Sequence, residues 1–275
     1  MDKVISLAEA AALVPDGASV ALGGMTLYRR PVAFVYELLR RASPPRNLTL
    51  LCFTSSYESD LLVGAGLVRR VRTCYFGFEA FGLAPMFTQA ANLGELEIVE
   101  ETEGSLGFGL RAAIAEVGFA PGHGWLGTDL LKLRPDVRTV IDPYSGEELV
   151  AFPALRPDIA IVHALEADHS GNASLGRNLG VDQELSMAAR SVIVTAERLV
   201  DRLEHADVVA PLVTAVVEAP RGAWPTSCHP LYPMAGEEIL EYMDACGRED
   251  FEGYLARRLA AGVPVAPLAG PLPAA

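Results

Sequence analysis

Basic charge is what this chain most conspicuously lacks. Its 22 Lys and Arg stand against 35 Asp and Glu, a formal charge of −13 over 275 residues. A nucleic-acid binder needs a cationic face to neutralise phosphates, so that class is set aside. Small anionic ligands need only a local cationic patch and stay open. Cysteine is scarce as well: Cys52, Cys74, Cys228 and Cys246 lie far apart and form no CxxC pair. They read as reduced thiols, not a disulfide framework or a zinc site. Long apolar runs are also missing. The run VVAPLVTAVV is broken by Pro211 and falls short of the ~20 residues a membrane span needs. The opening stretch carries Asp2, Glu9 and Asp16 and has no uninterrupted apolar signal-peptide core. A cytoplasmic protein with no membrane and no nucleic-acid partner is expected. Three motifs are absent too: GxxxxGK[ST], GxSxG, and GxGxxG directly after a strand. Phosphate-loop, hydrolase-elbow and dinucleotide chemistry therefore lack their usual marks.

What is present is apolar surface. Hydrophobic residues make up 51% of the chain, enough for a sizeable core. Short β-branched runs alternate with amphipathic stretches: SVALGG before PVAFVYELLRR, LTLLCFT before ESDLLVGAGL, RRVRTCYFGF before APMFTQAANLG, and LEIVE before SLGFGLRAAIAEVG. Later come VRTVIDP, ELVAFPA, DIAIVHAL, SVIVTAE and TAVVEAP, then a helical segment from Gly236 to Gly262. This pattern predicts an α/β fold, an open and mostly parallel sheet flanked by helices. DIAIVHAL, apolar at nearly every position, predicts a strand buried on both faces. No linker marks a boundary. One domain over residues 1–262 is expected, followed by a Pro/Ala-rich tail over 263–275.

Several segments carry polar groups that could do chemistry. In GGMTLYRRP (23–31), Gly23 and Gly24 end a strand, Arg29 and Arg30 follow, and Pro31 opens a helix. Close backbone approach, a helix N-terminus and two guanidinium groups together suit an anion. The competing reading is an ordinary strand-to-helix turn with solvated arginines. HALEADHSGNAS (163–174) holds His163, Asp168 and His169, which could ligate a metal, but the turn residues Asp168, Gly171 and Asn172 favour a polar turn. His123 and His229, among glycines and prolines, read as loop residues. In LEIVEETEGSLGFGL (96–110) three glutamates separate a strand from a helix expected to begin near Ser105. Glu100 and Glu101 read as solvated or strand-edge groups. Glu103 reads either as an acid favoured by the helix dipole or as one turned into a crevice at the carboxyl ends of the strands.

Taken in order, DGASVALGG with RRP, DLLVGAGLVRRVRTCYFGFEAFG, EIVEETEGSLGFGLRAA, HALEADHSGNAS and VVEAPRGAWPTSC resemble the A (α) subunit of family I coenzyme A transferases, of the glutaconate CoA-transferase type. The resemblance runs from about residue 5 to about residue 232 and implies a CoA-transferase-like fold. It also implies a separate B (β) subunit of similar size, often in a heterotetramer. The substrates would be an acyl-CoA and a carboxylic acid, with no permanently bound cofactor. In that family a glutamate of the B half attacks the thioester, leaving this chain the pocket walls and Gly23, Gly24, Arg29 and Arg30 as CoA-side groups. A related branch, the ring-opening CoA hydrolases, has its key acid on the α side in a DEG-type motif. ETEG places Glu103 there, with Thr102 in place of the aspartate. Glu103 is then the candidate catalytic acid or base. A third possibility keeps the fold without catalysis, as a sugar-phosphate or CoA-ligand binder.

Overall fold

In a computed structural model, residues 2–262 are described; the Pro/Ala-rich tail lies outside them. Four strand-helix units open the chain. They are β1 (Ser19–Leu22) with α2 (Val32–Arg40), β2 (Leu48–Cys52) with α3 (Tyr57–Gly64), β3 (Val68–Thr73) with α4 (Pro85–Leu93), and β4 (Glu97–Glu100) with α5 (Glu103–Ile114). Helix α1 (Leu7–Ala12) precedes them, closed by a Ser6–Glu9 capping box. The chain then forms β5 (Phe119–Gly122), α6 (Leu130–Leu133), β6 (Arg138–Ile141) and β7 (Glu148–Pro153), and returns as β8 (Ile159–Asp168). The remaining elements are β9 (Ala173–Ser174), α7 (Asp182–Ala188), β10 (Ser191–Val200), β11 (Ala215–Glu218), α8 (Gly236–Gly247) and α9 (Phe251–Ala261).

The main sheet runs β11-β10-β8-β1-β2-β3-β4, parallel throughout, with β9 added antiparallel to β8. The open, mostly parallel sheet predicted from the strand-helix alternation is present. Alternate residues feed two cores. Val20, Leu22, Leu50, Ile159 and Ile161 face α1–α4, α8 and α9, whereas Ala21, Leu51, Ala160, Val162 and Ala164 face α5 and α7. Strand β8 is buried along nearly its whole length, as its apolar run predicts.

Two features differ from the strand pattern. VRTVIDP and ELVAFPA leave the main sheet and join β5 in a small antiparallel sheet, β5-β7-β6. This sheet packs on α5 through the Phe108–Phe152 stack, with ring centroids 5.0 Å apart. Short β-branched runs do not distinguish parallel from antiparallel partners, which is why periodicity alone left the pairing open. The C-terminal helical segment is two helices, broken between Gly247 and Phe251. Among the described residues no helix is long and apolar enough to cross a membrane.

Candidate functional site

The strand order reverses at β1, which has β2 on one side and β8 on the other. A reversal of this kind opens a crevice at the carboxyl ends of the strands, where open α/β sheets hold their ligands. GGMTLYRR leaves β1 at that point. Gly24 has φ +83°, and Thr26 and Arg29 also sit at positive φ, +47° and +55°. The segment folds back as a tight turn, Met25 N–H donating to the Tyr28 carbonyl at 3.0 Å and Tyr28 N–H to the Met25 carbonyl at 2.8 Å. It is tied to the end of β2, where Thr26 N–H donates to Thr54 Oγ1 at 2.7 Å and Ser56 Oγ donates to the Thr26 carbonyl at 2.7 Å. Non-glycine residues at positive φ persist only where their surroundings over-determine them.

The two arginines are not free to meet a ligand. Arg29 and Arg30 are both 0% exposed. Arg29 pairs with Asp182 of α7 at 2.7 Å and donates to the Asn178 carbonyl at 3.0 Å. Arg30 pairs with Glu58 of α3 and donates to the Gly24 carbonyl at 3.1 Å. Burial opposes the Arg30 charge, yet Glu58 beside it holds its pKa above the usual value. The glycine turn is occupied as well, since Gly24 N–H donates to Asp182 at 2.9 Å. A Cβ on Gly23 would come within 2.9 Å of the same carboxylate. The anions expected at these residues are therefore the protein's own, Asp182 and Glu58. Spacing could not reveal them, because Asp182 lies 153 positions along the chain from Arg29.

A third closed network sits beside the first. His163 of β8 and Glu197 of β10 are both 0% exposed, with Nε2 and Oε1 2.8 Å apart, and His163 Nδ1 lies 2.8 Å from Thr195 Oγ1. Glu197 also accepts from the Tyr232 hydroxyl and the Arg221 N–H. Burial works against its charge, but these donors hold its pKa below the usual carboxylate value. With Cys228 this group has metal-ligand residue types within 4.8 Å of one another. The carboxylate oxygens nevertheless already serve protein donors. Asp168 and His169 stand apart from it. Asp168 organises the turn after β8 by accepting from Ser170, Gly171 and Asn172 N–H, and His169 is exposed near Asp2. The polar-turn reading of that segment describes it, and the grouping of His163, Asp168 and His169 is not formed.

The ETEG turn inverts the expected roles of its glutamates. Glu101, expected at a solvated edge, is 6% exposed. Its Oε1 pairs with Arg134 at 2.8 Å and with Arg72 at 3.1 Å. Glu103 starts α5 two residues earlier than expected and is exposed in the isolated chain. It stands at the carboxyl rim of the sheet, the same rim as Gly23 and Gly24, but at β4, three strands from β1. At one strand spacing each, that is ~14 Å. Between them the half-buried Phe53 and Cys74 line the ends of β2 and β3, the Cys74 thiol donating to the Phe53 carbonyl at 2.7 Å. Burial, and after it the nearby charge of Glu103, pushes the Cys74 thiol up to about 11. Thr73 and Glu100 are partners at the ends of β3 and β4, so the ETEG turn leaves the sheet next to the Cys74 segment and away from the arginines.

An open parallel sheet with a built turn at its switch point and an acid on its carboxyl rim defines an α/β ligand-handling chain. Residues 4–219 match the family model of Coenzyme A transferase, and the chain belongs to that family. It is 34% identical to the A subunit of 3-oxoadipate CoA-transferase from Pseudomonas knackmussii, over 84% of each chain. It is 35% identical to the cholesterol ring-cleaving hydrolase IpdA subunit of Rhodococcus jostii, over 81% of this chain and 79% of that one. An uncharacterized protein of Archaeoglobus fulgidus is 34% identical over 92% of this chain, which spans only 59% of that relative's length. Among solved structures, a variant of the decarboxylase AibA/AibB superposes with a TM-score of 0.89 at 32% identity, covering 94% of this chain and 100% of the other. Glutaconate coenzyme A-transferase of Acidaminococcus fermentans does so at 0.86 and 27% identity, covering 93% and 88%.

Proposed function

We propose that this chain is the α component of a heteromeric, cytoplasmic enzyme that transfers CoA between carboxylic acids, acting with a separate B subunit of similar size, in the simplest case as a heterotetramer. One observation carries this reading. The three carboxylates gathered around the switch point, Asp182, Glu58 and Glu197, are each 0% exposed and committed to internal donors. None can reach a thioester carbonyl, which supports a nucleophile supplied by the second polypeptide. Covalent catalysis by that group splits one difficult step into two easier ones, an acyl anhydride followed by an enzyme-bound thioester. This chain contributes the walls: the 25–28 turn and the shelf formed by Phe53 and Cys74, with Glu103 at its outer end facing the acyl group. The acyl-CoA thioester is a substrate and not a resident cofactor.

The exposed position of Glu103 supports a second reading, in which the complex hydrolyses a CoA thioester or opens a ring and Glu103 moves the proton. Sugar-phosphate binding is not favoured, because the arginines it would use are buried and paired.

Glu103→Ala in the assembled complex separates the two enzymatic readings. If the B subunit holds the nucleophile, thioester exchange survives and the preference among acyl-CoA substrates changes. If Glu103 is the general acid or base, turnover falls by about 10²–10⁴-fold. Loss of exchange of that size, with hydrolysis as the wild-type reaction, would replace the first reading with the second.

A further inference from the structure

Burying an ion cluster is a costly way to start a helix. A solvated acid in the first turn is stabilised by the helix dipole without desolvation, whereas taking a carboxylate and a guanidinium out of water costs several kcal/mol each before their attraction is counted. The start of α5 nevertheless has both. Thr102 and Ser105 form a reciprocal cap, Ser105 N–H donating to Thr102 Oγ1 at 3.1 Å and Thr102 N–H to Ser105 Oγ at 2.8 Å. That pair already serves the helix end. Glu101 is added beneath it. Its Oε2 accepts from the Ser105 hydroxyl, and its Oε1 takes both Arg72 from β3 and Arg134 from the end of α6. Arg134 also donates to the Glu100 carbonyl at 2.8 Å and is held on its other side by Asp136 at 2.8 Å. Trp125 Nε1 closes the turn from above by donating to Thr102 Oγ1 at 3.0 Å.

The geometry has one consistent consequence. The Glu101–Ser105 contact spans five residues, and Glu103 is the middle one. The first residue of the turn is fixed by Arg72 of β3 and by Arg134 after α6, and the last, Ser105, by Glu101 and Thr102, while the residue between them is exposed. We propose that Glu101 is a positioning residue, held by Arg72, Arg134 and Ser105 so that Glu103 leaves the turn in one direction toward the rim beside Cys74. The inference rests on the reading that Glu103 faces the acyl group, and it names the groups that set that direction. A loosened turn would let the carboxylate swing, and small misplacements of a reacting or recognising group are costly to turnover.

Position and role are tested by separate readouts. Cys74 reports position without any activity. In the full-length chain, its alkylation rate by iodoacetamide at one fixed pH is read by mass spectrometry of the Cys74 peptide. Glu103→Gln removes the neighbouring charge and is expected to speed alkylation several-fold, as is Ser105→Ala, which breaks the Glu101–Ser105 span and leaves both carboxylates in place. In the Glu103→Gln background, Ser105→Ala is expected to add nothing, because it acts by displacing a charge already removed. Glu101→Gln is kept for the complex, because the charge of Glu101 itself also raises the Cys74 pKa; if Ser105→Ala unfolds the chain, Ser105→Gly removes the same hydroxyl and carries the same expectation. Unchanged Cys74 reactivity in the folded Ser105→Ala chain, or additivity in the double variant, overturns the proposal. Role is read in the complex. Glu101→Gln should reproduce the change in acyl preference or kcat that Glu103→Gln gives. A Glu103→Gln complex indistinguishable from wild type would overturn the reading of Glu103 itself while leaving the positioning result standing.

Discussion

Asp60 sits in α3 with no exposure, its carboxylate accepting from Tyr242 Oη at 2.7 Å and from the backbone N–H groups of Phe87 at 2.7 Å and Met86 at 3.2 Å. Those donors favour the ionised form, but burial outweighs them and raises its pKa from 3.8 to about 6. Between these values the folded chain keeps a proton that the unfolded chain has released, so stability falls as pH rises through the window. The full effect is roughly 3 kcal/mol, complete above the folded pKa. Urea unfolding of wild type and Asp60→Asn from pH 4 to pH 7 checks the sign. The stability of wild type relative to the variant is expected to decline up to about pH 6 and then level off. A relative stability that rises over the same range would mean the carboxylate is held charged. At this scale the sequence was least informative. Glu101 and Glu103 look equivalent in ETEG, and which is buried depends on Arg72 and Arg134, the latter 33 positions away. Likewise Arg29 and Arg30 read as ligand donors because Asp182 and Glu58, which neutralise them, belong to other helices.

Elements were far more legible. The strands β1, β2, β8, β10 and β11 fall on the β-branched runs, because strands buried on both faces leave little room for polar residues, whereas β3 and β4 toward the sheet edge keep their arginines and glutamates partly exposed. Pro85 at the start of α4 and Pro31 just before α2 mark helix entries for the reason proline suits a first turn, its missing N–H having no partner there. What did not show was α7, seven residues long, which delivers Asp182, and β5, whose FAPG lacks strand character. Helix α5 illustrates why local pattern is incomplete. Its glycines look like weaknesses, yet Gly109 lets the helix lie against β7, where a Cβ would come within 2.6 Å of Leu155 and 2.9 Å of the Pro153 carbonyl. Gly109→Ala should therefore destabilise the chain by about 1–3 kcal/mol through overpacking, despite alanine's better helix propensity. Thermal unfolding checks this; an unchanged or raised Tm would mean that α5 and β7 are not in close contact.

On the scale of the whole molecule, two properties that look contradictory in the sequence become compatible. A charge of −13 would repel an anionic thioester from the surface at large. Yet the carboxyl rim of the sheet is mostly backbone, apolar side chains and neutralised pairs, with Glu103 as an exposed acid at its outer strand. Such a rim can form one wall of a pocket, and among the described residues its arginines Arg29 and Arg30 are already paired with acids; the proposed division of labour therefore gives most of the CoA contact to a second polypeptide. Membership of the Coenzyme A transferase family fits this division of labour. Relatives named for transfer, hydrolysis and decarboxylation share the scaffold, so the sheet alone does not fix the chemistry.

The most direct test is an isotope-exchange assay with labelled free carboxylic acid and its unlabelled CoA thioester, run on this chain by itself, on its cognate B subunit by itself, and on the two combined. Label should enter the thioester only in the combined sample, and the enzyme-bound thioester should map by mass spectrometry to the B subunit. Exchange by the isolated chain, or a covalent adduct on Glu103, would contradict the division of roles proposed here.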